Sequence, residues 1–321
     1  QKGCAEHTGK RSDAVVATGL PRSLGSTYRD RMPIDPKKVL GAKLDAVQSS
    51  WDEDKLILYA LGVGVGIGQS PTDAKKVLQY TYENGLSALP TYGVIPMFAA
   101  VGGLFNVPGL SFNPMMLLHG EQYTEILEPP LPLTASIVTE GTISGVYDKG
   151  KGALLTVDFV TRDEKTGKAL VKNVMGAFIR GEGGFGGDSK SPEPGNNPPD
   201  RAPDAVISYS TLTQQALLYR LSGDKNPLHV DPMMAKMGGF DVPILHGLCT
   251  FGNLGRAVIE AFCDDDPTGF KSIQVRFSKP VFPGETIVCQ MWKTSPTEIV
   301  CKARVKERDL DVITNAKVTV R

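Results

Sequence analysis

The sequence predicts an α+β fold made of two similar halves. Three pairs of matching segments recur in the same order: Tyr59-Ala-Leu-Gly with Tyr219-Arg-Leu-Ser-Gly, Leu89-Pro-Thr-Tyr-Gly with Val242-Pro-Ile-Leu-His-Gly, and Glu128-Pro-Pro-Leu-Pro with Lys279-Pro-Val-Phe-Pro. The offset between matching positions falls only from 160 to 151 residues, which is typical of a duplicated unit. In each half a short helix, a long helix and β-branched strands follow one another, so the sheet must wrap the long helix to bury both.

Composition divides the chain into four segments. Residues 1–31 show no helical or strand period and are expected to form a disordered arm. Residues 32–180 form the first half, and residues 204–321 form the second half. Between them, residues 181–203 hold six glycines and five prolines, which indicates a linker.

The first half is predicted to contain a helix over residues 54–61 that ends at Gly62. The following segment, Gly62-Val-Gly-Val-Gly-Ile-Gly68, does not fit the Gly-x-Gly-x-x-Gly dinucleotide pattern in any register, and it follows a helix rather than a strand. Nucleotide binding there is therefore not expected. Strands are predicted at residues 135–147, 153–162 and 169–180, where β-branched residues alternate between turn signals.

The second half opens with Thr211-x-x-Gln214, a capping-box pattern, before a helix that runs to Leu221. A longer helix is predicted over residues 245–262, and its glycines at 252 and 255 would let a sheet approach closely. Four strands follow, at residues 272–278, 286–292, 298–306 and 312–320.

Charge and cysteine content exclude several functions. The 35 basic and 35 acidic residues cancel, so neither a nucleic-acid surface nor an anionic membrane surface is predicted. The five cysteines contain no Cys-x-x-Cys pair, which argues against a zinc site or a disulfide framework and favours a reducing compartment. Residues 84–118 carry no charge, but four prolines interrupt them, so they are interpreted as buried core rather than a membrane span.

The candidate catalytic residues lie in one short loop of the second half, at Asp224, Asn226 and His229. A histidine beside a carboxylate can move protons at neutral pH, and Pro227 is expected to stiffen the loop so that these side chains converge. Asp231-Pro232 instead has the pattern of a helix cap. Gly247, at the start of the long helix, could donate its N–H to a developing oxyanion. His246 is interpreted as the end of a turn.

The first half lacks this chemistry. Where the second half has Asp224 and His229, the first has only the glycine-rich Gly62–Gly68 segment. On composition alone, His119 is interpreted as an exposed histidine at a strand start, and Lys149 as a solvated turn lysine. The second half is therefore expected to hold the active site.

Several motifs together resemble a known family. Gly-Asp224-x-Asn-Pro-Leu-His229-x-Asp-Pro, followed by Pro243-Ile-Leu-His-Gly-Leu-Cys-Thr-Phe-Gly, is similar to the hydratase 2 motif of MaoC-like (R)-specific enoyl-CoA hydratases. The resemblance extends to Leu118-His-Gly-Glu-Gln-Tyr, Gly183-Gly-Phe-Gly-Gly and Arg276-Phe-x-Lys-Pro-Val-Phe-Pro-Gly. It covers residues 34–321 and leaves the N-terminal arm outside.

The resemblance implies a double hot-dog fold and hydration of a trans-2-enoyl-CoA to the (3R)-3-hydroxyacyl-CoA. Asp224 and His229 would activate one water, Asn226 would help to position them, and the Gly247 amide would polarise the thioester carbonyl. The family's substrate contacts would fall on His119, Gly120, Lys149 and Phe277. The first half would accommodate the acyl chain.

The resemblance also sets expectations about ligands, partners and location. No cofactor and no metal are implied, acyl-CoA is the substrate, and a homodimer is expected. Neither nucleic acid nor membrane is expected as a partner. Since Val320-Arg321 is not a Ser-Lys-Leu-type signal, cytoplasm is the default location, with the peroxisomal matrix as the alternative. Two rival functions are an acyl-CoA thioesterase and a non-catalytic acyl-CoA-binding module.

Overall fold

Ten strands in the computed structural model form one continuous antiparallel sheet, in the order β1-β3-β4-β5-β2-β7-β10-β9-β8-β6. The structure describes residues 34–70, 75–193 and 195–321. The predicted arm at residues 1–31 lies outside them. The strands are β1 (Lys43–Trp51), β2 (Leu117–Ile126), β3 (Ala135–Asp148), β4 (Gly152–Asp163), β5 (Ala169–Arg180), β6 (Ala205–Ser210), β7 (Phe270–Phe277), β8 (Thr286–Lys293), β9 (Glu298–Val305) and β10 (Leu310–Val320).

The seven strands predicted from the sequence are confirmed within two residues at each end. Three further strands were not predicted: β1, β2 and β6. β1 and β6 form the two edges of the sheet, and every second residue of β6 is exposed. Their half-polar patterns carry a weaker signal than the buried central strands.

The two halves of the chain each contribute five strands, and they meet where β2 pairs with β7. Thr124 lies opposite Ile273 at this junction, and Glu121 lies opposite Arg276. The Arg276 guanidinium also binds the Glu121 carboxylate, with an Nε–Oε1 distance of 2.8 Å. The described residues therefore belong to one compact unit rather than to two separate ones.

The helices lie against this sheet and between the halves. Seven α-helices are described: α1 (Pro36–Val39), α2 (Glu53–Gly62), α3 (Lys75–Thr81), α4 (Phe98–Val101), α5 (Gln215–Tyr219), α6 (Pro232–Met237) and α7 (Gly247–Phe262). The predicted helices at residues 54–61 and 245–262 correspond to α2 and α7 and are confirmed. No helix in the described ranges is long and apolar enough to cross a membrane.

The central helix of the second half, α7, is regular, whereas its counterpart in the first half is broken. There, a 3-10 helix over Pro90–Met97, the single turn α4 and another 3-10 helix over Gly102–Asn106 replace one long helix. Pro96 has no backbone N–H to donate, which explains why α-helical bonding fails. The prediction of a long regular helix in both halves was therefore wrong for the first. All residues of Pro90–Met97 are buried, as predicted for the uncharged run.

Two glycines of α7 allow the first half of the chain to approach closely. A Cβ on Gly252 would lie 2.5 Å from Cγ1 of Val63, and one on Gly255 would lie 2.4 Å from Cγ2 of Thr91. Both contacts are too short for any side chain. The expectation that the sheet approaches these glycines holds at Gly255, where Phe270 of β7 lies 3.6 Å from the Cβ position, but the tightest contacts at both glycines are with the first half.

The predicted capping box at Thr211 and Gln214 is also wrong. The Thr211 hydroxyl donates to the carbonyl of Glu285 (2.8 Å), and helix α5 begins later, at Gln215. The Gln215 side chain instead accepts the N–H of Leu212 and donates to the carbonyl of Gly62 at 2.6 Å. This residue therefore joins the beginning of α5 to the end of α2 in the other half.

Candidate active site

The loop after α5 orders its own polar side chains. Gly223 has φ +152°, a conformation that side-chain-bearing residues rarely adopt. Asp224 Oδ1 then accepts the N–H of Asn226 at 3.1 Å, and Asn226 Oδ1 accepts the N–H of Leu228 at 3.0 Å. These consecutive side-chain-to-backbone bonds make a rigid turn that leads into a 3-10 helix over Pro227–His229. The Asn226 oxygen therefore supports the loop itself.

His229 faces the carboxylate of Asp224 with its unprotonated nitrogen. Its Nδ1 donates to the carbonyl oxygen of Ile244 at 2.8 Å, so in the neutral ring Nε2 carries the lone pair. Nε2 lies 4.0 Å from Asp224 Oδ2, and the two side chains are only 9% and 20% exposed. Two acceptors at this distance can each take one hydrogen from a single water. The predicted pair is thus brought together in the structure.

Burial lowers the pKa of His229 below its ordinary value of 6.5, although the nearby Asp224 carboxylate raises it in part. The neutral ring, which can accept a proton, is therefore the main form at neutral pH.

We expect kcat/KM to be level near neutral pH and to fall only as the pH drops through the lowered pKa of His229. Protonation below that pKa removes the Nε2 lone pair, so activity is present above it and lost below it. A profile of kcat/KM from about pH 4 to about pH 8 measures this limb. An acid limb centred at or above the ordinary value of 6.5 would contradict the assignment.

A third residue, His246, completes a buried cluster that the sequence did not reveal. Its ring stacks on that of His229, with centroids 3.7 Å apart and an interplanar angle of 25°. Its Nε2 donates to the carbonyl oxygen of Asp224 at 3.1 Å. Burial first, and then the charge of a protonated His229, lower the pKa of His246 to about 2.

The site contains three side chains of the kind that bind metal ions: Asp224, His229 and His246. Each has a possible ligand atom within 4.8 Å of the others. In stacked rings the nitrogen lone pairs run side by side rather than converge, whereas tetrahedral coordination needs convergence. His229 also uses Nδ1, and His246 uses Nε2, on backbone carbonyls. The geometry favours proton transfer over metal binding.

Gly247 lies at the first position of α7, where its N–H has no partner four residues back within the helix. The ring of Phe277 covers it, because a Cβ on Gly247 would lie 2.9 Å from Phe277 Cδ1. The rings of His119 and Phe277 pack in a T-shaped arrangement, with their centroids 5.3 Å apart. These three predicted residues therefore form one continuous surface.

His119 comes from β2 of the first half. Its Nε2 donates to Gln122 Oε1 at 3.0 Å, because Gln122 Nε2 is already the donor to Thr124 and Asn173. Burial lowers the pKa of His119 to about 4, against the opposing charge of Asp224. The interpretation as an exposed histidine was wrong, since β2 is an interior strand of the sheet. Gly120 follows as an unpaired bulge between His119 and Glu121.

Lys149 binds the predicted linker and not the candidate catalytic residues. Its ammonium donates to the carbonyl of Ser189 at 2.7 Å and to the hydroxyl of Ser191 at 2.9 Å. The neighbouring Asp148 carboxylate accepts the N–H groups of Gly150, Gly184 and Gly186. Within the described residues, Lys149 therefore remains half-exposed but is bound to the predicted linker, and it makes no contact with Asp224 or His229.

Asp231 has the structural role that its sequence pattern predicted. Its Oδ1 accepts the N–H groups of Met233 (2.8 Å) and Met234 (3.3 Å), and Pro232 is the first residue of α6. Replacing Asp231 by Ala is expected to lower the free energy of unfolding by about 1 kcal/mol. Urea unfolding measures this loss, and Asp231→Asn, which retains a capping oxygen, should lose much less. Equal losses would contradict the capping role.

Each half of the chain matches the model of a known protein family. Residues 49–181 match the MFE-2 hydratase 2 N-terminal domain, and residues 195–316 match the MaoC like domain. The chain is 45% identical over 295 residues to a Dictyostelium discoideum protein named "Probable enoyl-CoA hydratase 2", covering 90% of this chain and 97% of that one. It is 44% identical over 286 residues to the peroxisomal multifunctional enzyme type 2 of Mus musculus, covering 87% of this chain and 38% of that one.

A solved structure of similar shape is the MaoC-like dehydratase of Phytophthora capsici. It superimposes with a TM-score of 0.76 at 36% identity, covering 89% of this chain and 98% of that one. With the two five-stranded halves, this likeness confirms the predicted double hot-dog fold.

Proposed function

The chain belongs to the MaoC-like hydratase 2 family, and from that premise we propose that it hydrates trans-2-enoyl-CoA to (3R)-3-hydroxyacyl-CoA, reversibly. The observation that carries the proposal is the spacing of Asp224 Oδ2 and His229 Nε2, which lie 4.0 Å apart in a mostly buried loop. Both atoms are acceptors at neutral pH, as the activation of one water requires.

The water held by this pair supplies all the atoms that are added. Its oxygen forms the bond to C3, while the C2–C3 π electrons move toward C2 and the thioester carbonyl. The proton that the pair removes is returned to C2 on the same face, which gives a syn addition. No atom or electron pair is left over, so no redox cofactor is required, and we propose that none is used.

The negative charge that develops on the thioester oxygen needs a donor. The Gly247 N–H at the beginning of the 16-residue helix α7 is suitable, because the helix dipole and the unbonded N–H both favour negative charge there. Phe277 and His119 cover the same region from β7 and β2, which supports their role as substrate contacts.

The first half supports the binding of the acyl chain. Its counterpart of the catalytic loop contains only glycine and apolar residues, and Pro90–Met97 is entirely buried, with Ile95 Cγ2 lying 3.4 Å from the Cβ position of Gly223 in the catalytic loop. Because the Lys149 ammonium is bound to Ser189 and Ser191, we assign Lys149 to holding the linker.

The test is an assay with trans-2-enoyl-CoA that follows the conjugated thioester absorbance, free CoA and the chirality of the product. We expect loss of absorbance, an (R)-hydroxy product and no CoA release, with unchanged rates after dialysis against EDTA. Release of CoA would indicate a thioesterase, and binding without turnover would indicate a binding module. Either result would overturn the proposal.

We also propose a homodimer in a reducing compartment. Exposed Leu61, Leu217 and Leu221 lie on neighbouring helical segments and offer an apolar surface that fits a second copy. The described cysteines are all free. Light scattering of the wild type and of Leu217→Glu tests the dimer. Imaging of the full-length protein distinguishes cytoplasm from the peroxisomes named for some relatives.

A further inference from the structure

His246 contacts both members of the proposed catalytic pair through different parts of its ring. One ring nitrogen binds the backbone carbonyl of Asp224, and one ring face covers His229. The side chain is 1% exposed, so it lies behind the pair rather than at the substrate. A residue in this place can act only through its two neighbours.

We propose that His246 is a positioning residue: its neutral ring fixes Asp224 and His229 at the separation that holds one water, and supports the positive charge that His229 acquires. This inference rests on the proposed hydratase activity.

The hydrogen bond to Asp224 restrains the carboxylate from behind. Asp224 is held at its side chain by the N–H of Asn226, and at its carbonyl by His246 Nε2–H. Without the second bond the loop would retain only local contacts at this residue. A shift of roughly 1 Å in a catalytic group can reduce the rate by about 10²-fold.

The stack restrains His229 and excludes water from one face of its ring. His229 is otherwise held by a single hydrogen bond, from Nδ1 to Ile244, which leaves the ring free to tilt about that bond. A neutral aromatic face also stabilises a cation placed over it. The charge that appears on His229 during proton transfer therefore meets a polarisable surface rather than a second positive group.

The surroundings of His246 keep it neutral. Its Nδ1 is buried and has no hydrogen-bond partner among the described residues, so a proton added there would have no acceptor. The positive charge of Arg220 disfavours protonation of His246. The ring of Tyr219 packs against the His246 ring, with centroids 4.9 Å apart. The remaining titratable groups around the pair are Asp224 itself and His119 from β2, whose pKa is also lowered.

The first half contains a similar aromatic pair but lacks the counterparts of Asp224 and His229. Tyr59, the repeat counterpart of Tyr219, packs against Tyr92 with ring centroids 5.5 Å apart, much as Tyr219 packs against His246 with centroids 4.9 Å apart. The aromatic pair is thus retained in both copies, but only the copy with Asp224 and His229 has an imidazole there. Packing alone does not call for this histidine.

Two substitutions separate the two contacts. His246→Phe keeps the aromatic stack and loses the hydrogen bond, so kcat should fall by about 10²-fold while the acid limb of kcat/KM stays in place. His246→Gln keeps a donor near the Nε2 position and exposes His229 to water, which relieves its desolvation. The acid limb should then move to higher pH. In both variants KM should change by less than about threefold, because neither contact is to substrate.

The control is Thr250→Val, one turn further along α7, which removes another buried and unpartnered polar atom. It should keep wild-type kcat and pH dependence. In case a His246 variant fails to fold, ¹⁵N NMR of the substrate-free wild type provides a second measurement: His246 should stay neutral and Nε2-protonated down to about pH 5.

If both variants had the kcat and the pH profile of the wild type, the positioning role would be overturned. A change in KM alone, or a His246 NMR signal that titrates above about pH 5, would also overturn it. An inactive wild-type enzyme would instead count against the hydratase activity itself. The NMR result is independent of activity and separates the two failures.

Discussion

Asp224→Asn and His229→Ala are each expected to lower kcat by about 10³-fold, because either change removes one of the two acceptors that hold the water. Asp224→Asn preserves the oxygen that accepts the N–H of Asn226, so the loop should remain folded. His229→Ala removes the Nε2 base and half of the imidazole stack. Steady-state kinetics with a trans-2-enoyl-CoA gives kcat, and calorimetric titration shows whether substrate still binds.

The matched control is Asp231→Asn, which makes the same chemical change seven residues further along. Asp231 binds the backbone N–H groups of α6 and has no contact with His229 among the described residues, so its kcat should be close to wild type. If Asp224→Asn and Asp231→Asn had similar rates, Asp224 would have no part in the reaction. Near-normal turnover by His229→Ala would likewise remove His229.

Gly247→Ala should lower kcat by about 10²-fold, with a smaller effect on substrate affinity. The added Cβ would be 2.9 Å from Cδ1 and 3.0 Å from Cε1 of Phe277, so either the ring or the first turn of α7 has to move. Movement of that turn displaces the N–H donor from the thioester oxygen. The measurement is kcat and KM for the variant, together with its melting temperature.

The double variant Gly247→Ala with Phe277→Leu identifies the cause. Leucine is smaller than the aromatic ring, so Phe277→Leu should relieve the contact with the added Cβ. The loss of kcat caused by Gly247→Ala should therefore be smaller when it is measured against Phe277→Leu than when it is measured against the wild type. Full activity in the single Gly247→Ala variant would show that the first turn of α7 is not needed for carbonyl polarisation.

Much of this fold is readable in the sequence because burial imposes a pattern on it. The central strands alternate, and α7 has its glycines and apolar residues at helical spacing. Edge strand β1 is not readable, since most of its residues face solvent. The broken helix of the first half could have been suspected at Pro96, whose effect on α-helical bonding is local.

The candidate site was predictable where the chemistry is local and not where it is assembled from distant segments. Asp224, Asn226 and His229 lie within six residues, and their turn is built from its own side chains. His246 comes from another loop, and nothing in its immediate sequence shows that its ring will lie on His229. The bond between His119 and Gln122 depends on β2 being an interior strand, which its polar sequence conceals.

The junction between β2 and β7 has a consequence for how the chain acquires its structure. The paired residues, such as Thr124 and Ile273, are on the order of 150 positions apart, so this contact requires closure of a long loop and forms slowly. During synthesis the first half emerges with β2 unpaired on one side, and an open strand edge invites association with other chains. Glu121 on that strand, which later binds Arg276, places a charge on the edge until its partner arrives.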